Sequence, residues 1–509
     1  MSRTVDIAIV GSGLGGLMAG ALLAKRGFSV ALYERSDHFG GAASIHRPAG
    51  LTIGDGRSGT ADPTRRHLAE LGLLDGLPLV DVAELYEVRG GPVGAPFRLP
   101  RGFAAARDAL AGRFPDAARG ALRILDDMAG LARALAPGAA GSALSRLPRM
   151  GRDLWPVASG WNRTLAEVFA RTLRDYEAAK FALAANLLWF DDNPADLWWP
   201  HFALAQARDI ARGGHFLRGG APVLIERLVD VIRASGGTAT AGRPVRDILL
   251  AGDGSARGIV HTDAEGGDEE PVGAGVVLAN AAPTVVTGML PDAARPGFVS
   301  AFRGRPLSIS LFAAHFGLSR RPADLGLAAR STVLVPDWMD GLDDVARCGQ
   351  LLGGGPDGRL PLLEVVDVSA TADPSDGPPF VVTVVGVDRI ANWEGLEPAA
   401  HDDRRDAWLG AIEAGLDRQF PGFRAAITSR LLATAATHAR GLNAPGGALT
   451  GFAPMPPQTP IWKGYPRACD TPVPGLLLAS AYAGAGGISG ALAAGGLAAE
   501  RITRAPRRG

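Results

Sequence analysis

Three glycines close to the N-terminus have the spacing that lets a backbone turn contact a pyrophosphate. Gly11, Gly13 and Gly16 follow the strand-like residues 5–10 and lead into a helical stretch over residues 17–26. In such a turn the first glycine allows the sharp bend, the second lets the backbone approach the phosphates, and the third lets helix and strand pack closely. Free N–H groups at the start of the helix add a partial positive charge. The motif in this context predicts a dinucleotide site rather than a glycine-rich helix start without a ligand. The other residues of the turn with a predicted contact are Ser12, Leu14 and Gly15.

An acidic residue stands where the ribose of a dinucleotide needs a hydrogen-bond acceptor. Glu34 ends a second strand pattern over residues 29–34, at the expected distance along the chain from the first glycine. A carboxylate at this position repels a 2′-phosphate, which excludes NADP. Gly40 and Gly41 follow, and two consecutive glycines here let the chain turn back beside the pyrophosphate, which favours FAD over NAD. The neighbouring residues with a predicted contact are Arg35, Ala42 and Ser44.

The C-terminal segment has the same order of strand, glycine-rich loop and helix. Residues 475–480 form a strand pattern, residues 481–487 a loop, and a helical pattern runs from residue 488 to about residue 501. With the N-terminal motifs, this segment resembles the phytoene desaturase and retinol saturase group of the flavin amine oxidase superfamily. The resemblance implies that both ends of the chain bind one FAD. It also implies that the last helix points its N-terminus at the pyrimidine edge, where reduced flavin carries negative charge. The C-terminal residues thereby assigned to the cofactor are Ser480, Gly486, Gly487, Ile488 and Ser489.

The chain departs from the pattern of that group in two places. Residues 40–42 are Gly-Gly-Ala where the superfamily has Gly-Gly-Arg, so the usual arginine contact to the phosphates is missing. In the C-terminal loop, residues 483–485 are Ala-Gly-Ala in place of the group's Thr-His-Pro. Any role of that histidine is therefore absent from this chain.

Further site residues follow from the same resemblance. Val245 would bind adenine through its backbone, and the strand that ends at Asn280 would pass under the cofactor, although Asn280 also suits an ordinary turn. Residues 50–56 are similar to the family's segment beside the flavin ring, with a plain glycine-rich turn as the alternative. The residues expected near the isoalloxazine ring are Arg57, Ser58 and Tyr482.

These motifs predict an α/β fold with two parts. One is a Rossmann-like FAD-binding domain of the glutathione reductase type, and the other is a mixed-sheet plus helical domain for the substrate. The FAD-binding domain is expected to be discontinuous and to comprise residues 1–85, 210–290 and 465–509. Residues 86–209 and 291–464 are expected to form the substrate domain.

The substrate domain is expected to begin with a helical, aromatic-rich lid. Apolar periodicity predicts helices over residues 104–136 and 165–188. The basic and aromatic run from Arg146 to Trp161 suits either a membrane surface or a packed helical core.

Composition excludes several classes of function. Lys+Arg and Asp+Glu both number 52 in the 509 residues, so no nucleic-acid surface is indicated. The two cysteines, Cys348 and Cys469, lack metal-ligand spacing and cannot form a disulfide framework, which predicts no metal and a reducing, cytoplasmic compartment. Neither cysteine matches the position of covalent flavin attachment, so FAD should be non-covalent. Residues 7–24 and 471–499 are uncharged and long enough to span a membrane, but their glycine motifs favour cofactor binding.

No acid–base cluster with diagnostic spacing occurs in the sequence, so the catalytic side chains stay unassigned. A flavin performs hydride transfer itself while the protein positions the substrate and excludes water. The resemblance implies hydride transfer between flavin N5 and a C–C bond of an apolar polyene or isoprenoid, as a desaturase or a saturase. A single nucleotide fingerprint favours oxygen or a quinone as the electron acceptor. A peripheral membrane contact is compatible with this reading, and the oligomeric state is open.

Two other functions remain as alternatives. A flavin amine oxidase generally keeps a mid-chain lysine that is bonded through water to flavin N5, but there is no lysine between Lys180 and Lys463. A non-catalytic escort of prenylated proteins can share the fold and often loses its flavin contacts. The intact glycines and Glu34 speak against that escort.

Overall fold

The computed structural model describes residues 3–44, 62–82, 84–134, 159–213, 215–371, 377–460, 469–484 and 486–504. Arg57 and Ser58 lie outside the described residues, as does most of the basic, aromatic run that ends at Trp161. The expectations placed on those positions stay predictions.

The described chain alternates strands and helices, which confirms the α/β prediction. The strands, numbered in chain order, are β1 (Arg3–Val10), β2 (Val30–Tyr33), β3 (Leu79–Asp81), β4 (Glu84–Gly90), β5 (Gly94–Pro100), β6 (His215–Leu217), β7 (Thr238–Thr240), β8 (Val245–Leu250), β9 (Ala256–His261), β10 (Glu270–Ala279), β11 (Ser310–Leu318), β12 (Ser331–Val335), β13 (Leu363–Asp367), β14 (Phe380–Asp388), β15 (Ile427–Ala433) and β16 (Leu476–Leu478). The helices are α1 (Leu14–Lys25), α2 (Asp62–Glu70), α3 (Phe103–Arg113), α4 (Ala118–Ala134), α5 (Leu165–Thr172), α6 (Glu177–Ala184), α7 (Trp199–Arg212), α8 (Ala221–Ala234), α9 (Pro283–Met289), α10 (Arg295–Phe302), α11 (Val345–Cys348), α12 (Pro398–Gln419), α13 (Phe423–Ala426), α14 (Ala435–Leu442) and α15 (Gly487–Arg504).

The first seven-stranded sheet joins the two ends of the chain. Its order is β7-β2-β1-β10-β9-β8, and β16 pairs with β10 beside this path. The strand β10 pairs with β9 through its first residues and with β16 through its last, and both β1 and β16 run parallel to it. Because the carboxyl ends of parallel strands meet at one edge, the turns after β1, β2 and β16 are brought together there.

The second seven-stranded sheet has the order β15-β11-β14-β13-β12-β4-β5. Its pairs are antiparallel except for β12 and β4, which run parallel. An apolar core that includes Tyr86, Leu311 and Val333 joins one side of this sheet to the helices α3–α7. The helix α12 packs into a separate core through Trp408, Ile412 and other residues. The strands of the first sheet fall within the predicted FAD-binding segments and nearly all of the second within the substrate segments, but the division into domains itself stays a prediction.

Both predicted long helices are interrupted. The pattern over residues 104–136 divides into α3 and α4, because Pro115 lacks the N–H that would continue the helix. The pattern over residues 165–188 divides into α5, α6 and a 3₁₀ turn, Ala185–Trp189, and Arg174 between α5 and α6 has a φ of 48°. The apolar periodicity continues across these breaks, because it indicates which side chains are buried and not whether the helix is continuous.

The apolar stretch near the N-terminus is explained by burial on all sides. Every residue of α1 from Leu14 to Ala24 is buried. It packs in one apolar core with residues of α8 and α15. Across the part of the chain that the structure describes, no helix combines the length and apolar character needed to cross a membrane.

The helices α1 and α15 cross at glycines. A Cβ on Gly15 would overlap the carbonyl oxygen of Ala479 and lie 3.0 Å from that of Ala491. A Cβ on Gly495 would overlap the carbonyl oxygen of Gly15. The N-terminal and C-terminal helices therefore touch backbone to backbone, which only glycine permits.

We expect Gly495→Ala to destabilise the protein by about 1–3 kcal/mol, because the new methyl group meets a rigid backbone carbonyl rather than a flexible side chain. A matched control is Gly112→Ala, at an exposed position of helix α3 where a Cβ has no atom within 4 Å. That control should be stabilised by about 0.5–1 kcal/mol, since alanine suits a helix better than glycine. Denaturant midpoints of both variants provide the measurement. Equal effects of the two substitutions would contradict the backbone contact.

Candidate functional site

The glycine-rich turn after β1 is shaped by the end of β10 beneath it. Gly11 has a φ of 89°, and a Cβ there would lie 2.9 Å from the carbonyl oxygen of Asn280. A Cβ on Gly13 would overlap Asn280 Nδ2, and one on Gly16 would lie 2.5 Å from the carbonyl oxygen of Gly11. The three glycines are thus required by close contacts within the protein, where a side chain would not fit. Without side chains they also leave the backbone of the turn bare.

Glu34 holds that turn in place through a buried hydrogen-bond network. Its Oε2 accepts from the backbone N–H of Ser12 at 2.8 Å and from Ser12 Oγ at 2.7 Å. Its Oε1 accepts from the backbone N–H of Ser36 at 2.9 Å. The residue is 7% exposed. A carboxylate offers about four acceptor positions and three are used here, so one remains on Oε1, and the predicted contact to a ribose hydroxyl would use it.

The second glycine pair lies directly against the first turn. Gly40 and Gly41 have φ values of 116° and 57°, and a Cβ on Gly41 would lie 3.2 Å from the Cα of Gly13. The N–H of Gly40 donates to the carbonyl oxygen of Ser12 at 3.2 Å and to its Oγ at 3.1 Å. The two turns therefore form one continuous glycine surface.

The C-terminal segment approaches the same place. Ser480 Oγ donates to the carbonyl oxygen of Ala281 at 2.9 Å, which ties the end of β16 to the end of β10. The helix α15 begins at Gly487, which has a φ of 74°. A Cβ on Gly486 would overlap Thr450. The loop before α15 therefore passes close to the segment that follows α14.

These segments line a single cavity of about 730 Å³. Val245 and Asn280 lie on it, as do Tyr482 and all of the predicted cofactor-contacting residues except Gly15 and Gly16. Those two glycines lie behind the lining, where they let α1 pack closely. The predicted lining residues are Gly11, Ser12, Gly13, Leu14, Glu34, Arg35, Gly40, Gly41, Ala42, Ser44, Val245, Asn280, Ser480, Gly486, Gly487, Ile488 and Ser489.

The opposite wall comes from residues that the sequence did not single out. Leu85, Leu188, Ile309, Leu311 and Leu449 supply apolar surface. Asn186, Trp189, Arg330 and Ser331 supply polar groups, and the carboxylates Glu84 and Asp209 also lie on the cavity. Many of these residues lie in or beside strands and helices whose apolar patterns indicate burial alone.

The site lacks the signature of a metal centre within the described residues, where no group of His, Cys, Asp and Glu could hold an ion. Neither Cys348 nor Cys469 lines the cavity. Burial raises the pKa of the Cys348 thiol to about 12, which keeps it protonated and unreactive.

The sequence profile of one family matches nearly the whole chain. It is the profile of flavin-containing amine oxidoreductases, and the match covers residues 14–503. The chain belongs to the flavin-containing amine oxidoreductase family. It is therefore an FAD-dependent oxidoreductase, as the glycine motifs and Glu34 predicted, and the non-catalytic escort is disfavoured.

Solved structures of similar fold include amine oxidases. Putrescine oxidase bound to putrescine is 18% identical, with a TM-score of 0.62 over 99% of this chain and 100% of that one. Cyclohexylamine oxidase from Brevibacterium oxydans is 16% identical, with a TM-score of 0.59 over 98% of both chains. An oxidoreductase from Methanosarcina mazei is 16% identical, with a TM-score of 0.61 over 98% of this chain and 100% of that one. At these identities the likeness shows the fold alone.

Among curated proteins, a short stretch matches 4,4′-diaponeurosporene oxygenase from Staphylococcus aureus. The two are 42% identical over 48 residues, which is 9% of this chain and 10% of that relative. The match therefore spans about a tenth of the relative's length, and its activity does not transfer on this ground.

The cavity fits FAD by its own geometry. The bare backbone at Gly13 and Gly41 leaves room for a pyrophosphate, and Glu34 lies beside it with acceptor capacity. Missing from this cradle is the family's arginine, replaced by Ala42. The individual contacts remain predictions.

We expect Glu34→Gln to weaken FAD binding by about tenfold or more, because an amide loses charge-assisted acceptance from the Ser12 groups and from a ribose hydroxyl. Fluorescence titration of flavin-depleted protein with FAD gives the dissociation constant. The exposed Glu226 of α8 provides the matched control, Glu226→Gln, which should bind FAD as the wild type does. Unchanged affinity in Glu34→Gln would refute the ribose contact.

Tyr482 lies at the cavity with a buried, unsatisfied hydroxyl. Its Oη has no hydrogen-bond partner among the described residues, and its ring meets Phe452 edge-on with centroids 5.1 Å apart. Burial raises the pKa of Tyr482 to about 12 from a usual value of 10.0. The phenol is therefore neutral throughout the physiological range and can donate a hydrogen bond there.

This raised pKa predicts a pH dependence of stability. Well below pH 10 the phenol is protonated in both the folded and the unfolded protein, and its contribution to the free energy of unfolding is complete. As the pH rises through about 12 this contribution is lost, because the unfolded protein releases the proton at a lower pH than the folded protein does. The free energy of unfolding should therefore fall more steeply between pH 10 and 12 in the wild type than in Tyr482→Phe. Parallel curves for the two proteins would show that the phenol is not buried in this way.

Proposed function

We propose that this oxidoreductase transfers hydride between flavin N5 and a C–C bond of an apolar polyene or isoprenoid-type substrate, as a desaturase or a saturase. The observation that carries the proposal is the cavity itself. It runs from the glycine turns to an apolar wall that includes Leu188, Ile309 and Leu311. A long apolar chain gains by burial there, at about 25 cal/mol per Å² of its surface.

The chain's own residues have positioning roles in this proposal. The glycine turns and Glu34 would hold the dinucleotide, and the free N–H groups at the start of α15, with their partial positive charge, would lie toward the pyrimidine end. The apolar wall orients the substrate and excludes water from the reacting carbon. The short match to a diaponeurosporene oxygenase supports a polyene substrate.

An amine oxidase is the second candidate, since the family takes its name from that activity. Glu84 and Asp209 line the cavity and carry the charge that a protonated amine needs. Lysine, however, is absent from the lining within the described residues: Lys180 is paired with Glu177, and Lys25 ends α1. The lysine typical of flavin N5 in those oxidases therefore has no counterpart there, which is why we favour the C–C reaction.

Several finer expectations belong to the same proposal. The two sheets would correspond to an FAD-binding domain and a substrate domain with the boundaries given above. Oxygen or a quinone would accept the electrons. The basic, aromatic run before Trp161 would provide any peripheral membrane contact.

The proposal predicts that a polyisoprenoid reduces the bound flavin without oxygen, or that reduced flavin is reoxidised by a polyene. We expect Leu449→Asn, in the partly exposed cavity wall, to raise the KM for such a substrate about tenfold, because a polar group replaces apolar contact surface. Leu497→Asn is the matched control, since Leu497 is 55% exposed and lies away from the cavity. Anaerobic visible spectra follow the flavin. Peroxide release with primary or cyclic amines, and no response to any isoprenoid, would favour amine oxidation instead.

A further inference from the structure

A buried amide belongs to the residues that line the cavity. Asn186 lies in the 3₁₀ turn Ala185–Trp189, lines the cavity and is 1% exposed. Its neighbours Leu188 and Trp189 line the same cavity. A polar side chain so deeply placed needs partners for both ends of its amide.

The orientation of this amide is fixed by two backbone carbonyls, which can only accept hydrogen bonds. Tyr86 Oη donates to the carbonyl oxygen of Ala182 at 3.0 Å. Gln206 Nε2 donates to the carbonyl oxygen of Leu183 at 3.0 Å and to Tyr86 Oη at 3.3 Å. Gln206 must therefore present Oε1 on its other side.

Gln206 Oε1 in turn accepts from Asn186 Nδ2 at 2.9 Å. The chain of donors and acceptors from Leu183 through Gln206 to Asn186 thus has only one sense, and it leaves Asn186 Oδ1 as an acceptor. That atom is buried and has no donor among the described residues. Two other donors on the cavity wall, Trp189 Nε1 and Ser331 Oγ, both donate to Glu364.

We propose that Asn186 is a specificity-determining residue that accepts a hydrogen bond from an O–H or N–H group of the substrate. This inference rests on the proposed use of the cavity as the substrate site, and it sharpens the substrate class. The substrate is an apolar chain that carries one donor group, a hydroxyl or a protonated amine, rather than a plain hydrocarbon. Gln206 is the positioning residue, because it keeps Asn186 Nδ2 turned away from the ligand.

The test compares ligands that differ only in the donor. The probes are a polyisoprenoid alcohol, its methyl ether, the hydrocarbon and the primary amine of the same chain, each titrated into the oxidised FAD-loaded enzyme without oxygen. Shifts of the flavin spectrum give dissociation constants without any turnover. We expect the alcohol or the amine to bind about tenfold or more tightly than the ether, and the tighter of the two identifies the donor.

Variants of the relay supply the second arm. Asn186→Leu should remove the preference for the donor ligand. Gln206→Met should reduce or invert it, because Asn186 can then turn Nδ2 to the cavity and favour the ether oxygen. Thr332→Val is the matched control: it removes another buried hydroxyl that lacks a partner, but one outside the cavity lining, and it should leave the preference unchanged.

Two results would overturn the inference. Equal binding of alcohol, amine and ether to the wild type would mean that water or the flavin serves Asn186, and a preference that persists in Asn186→Leu would place the donor elsewhere. Should Asn186→Leu fail to fold, the wild-type ligand series and Gln206→Met decide alone. A donor preference without any flavin reduction would uphold the role of Asn186 while rejecting the proposed C–C reaction.

Discussion

The close contact of backbone with backbone between the two ends of the chain underlies the rest of this structure. Gly495 of α15 packs against the carbonyl oxygen of Gly15 in α1, and Gly15 packs against the carbonyl oxygen of Ala479. Side chains at these points would push the C-terminal helix away from the glycine turn. With glycine there, the start of α15 reaches the cavity that the N-terminal motif begins. The cavity is thus complete only when residues almost the whole chain apart have packed against each other.

Buried hydrogen-bond networks determine which atoms at this site can donate or accept a hydrogen bond. The carboxylate of Glu34 fixes the first turn, because it accepts hydrogen bonds from Ser12 and Ser36. Most of its acceptor capacity is therefore used within the protein. On the far wall, the relay from Leu183 to Asn186 ends in an acceptor of fixed sense. Because a buried polar group without a partner is costly, each network restricts what can fill the space beside it.

The cavity joins two surfaces of different chemistry. Bare backbone and Glu34 suit a charged dinucleotide, whereas the leucines of the second sheet and the helical layer suit an apolar chain. The family match shows that the protein uses FAD, and the bare backbone and Glu34 make the first half the predicted place for it. The second half, with its few polar groups, is the part in which members of one family can differ in substrate.

The sequence by itself determined the local parts: the glycine spacing at residues 11–16, the carboxylate of Glu34, and the strand, loop and helix at the C-terminus. Those features are readable because each depends on neighbours within a few residues or on one βαβ unit. Only the tertiary structure decided the crossing at Gly15 and Gly495, the close approach of Asn280 to Gly13, and the cavity wall around Asn186. Such contacts join residues far apart along the chain, and a strand or helix that builds a pocket wall has the same apolar pattern as one that only fills a core.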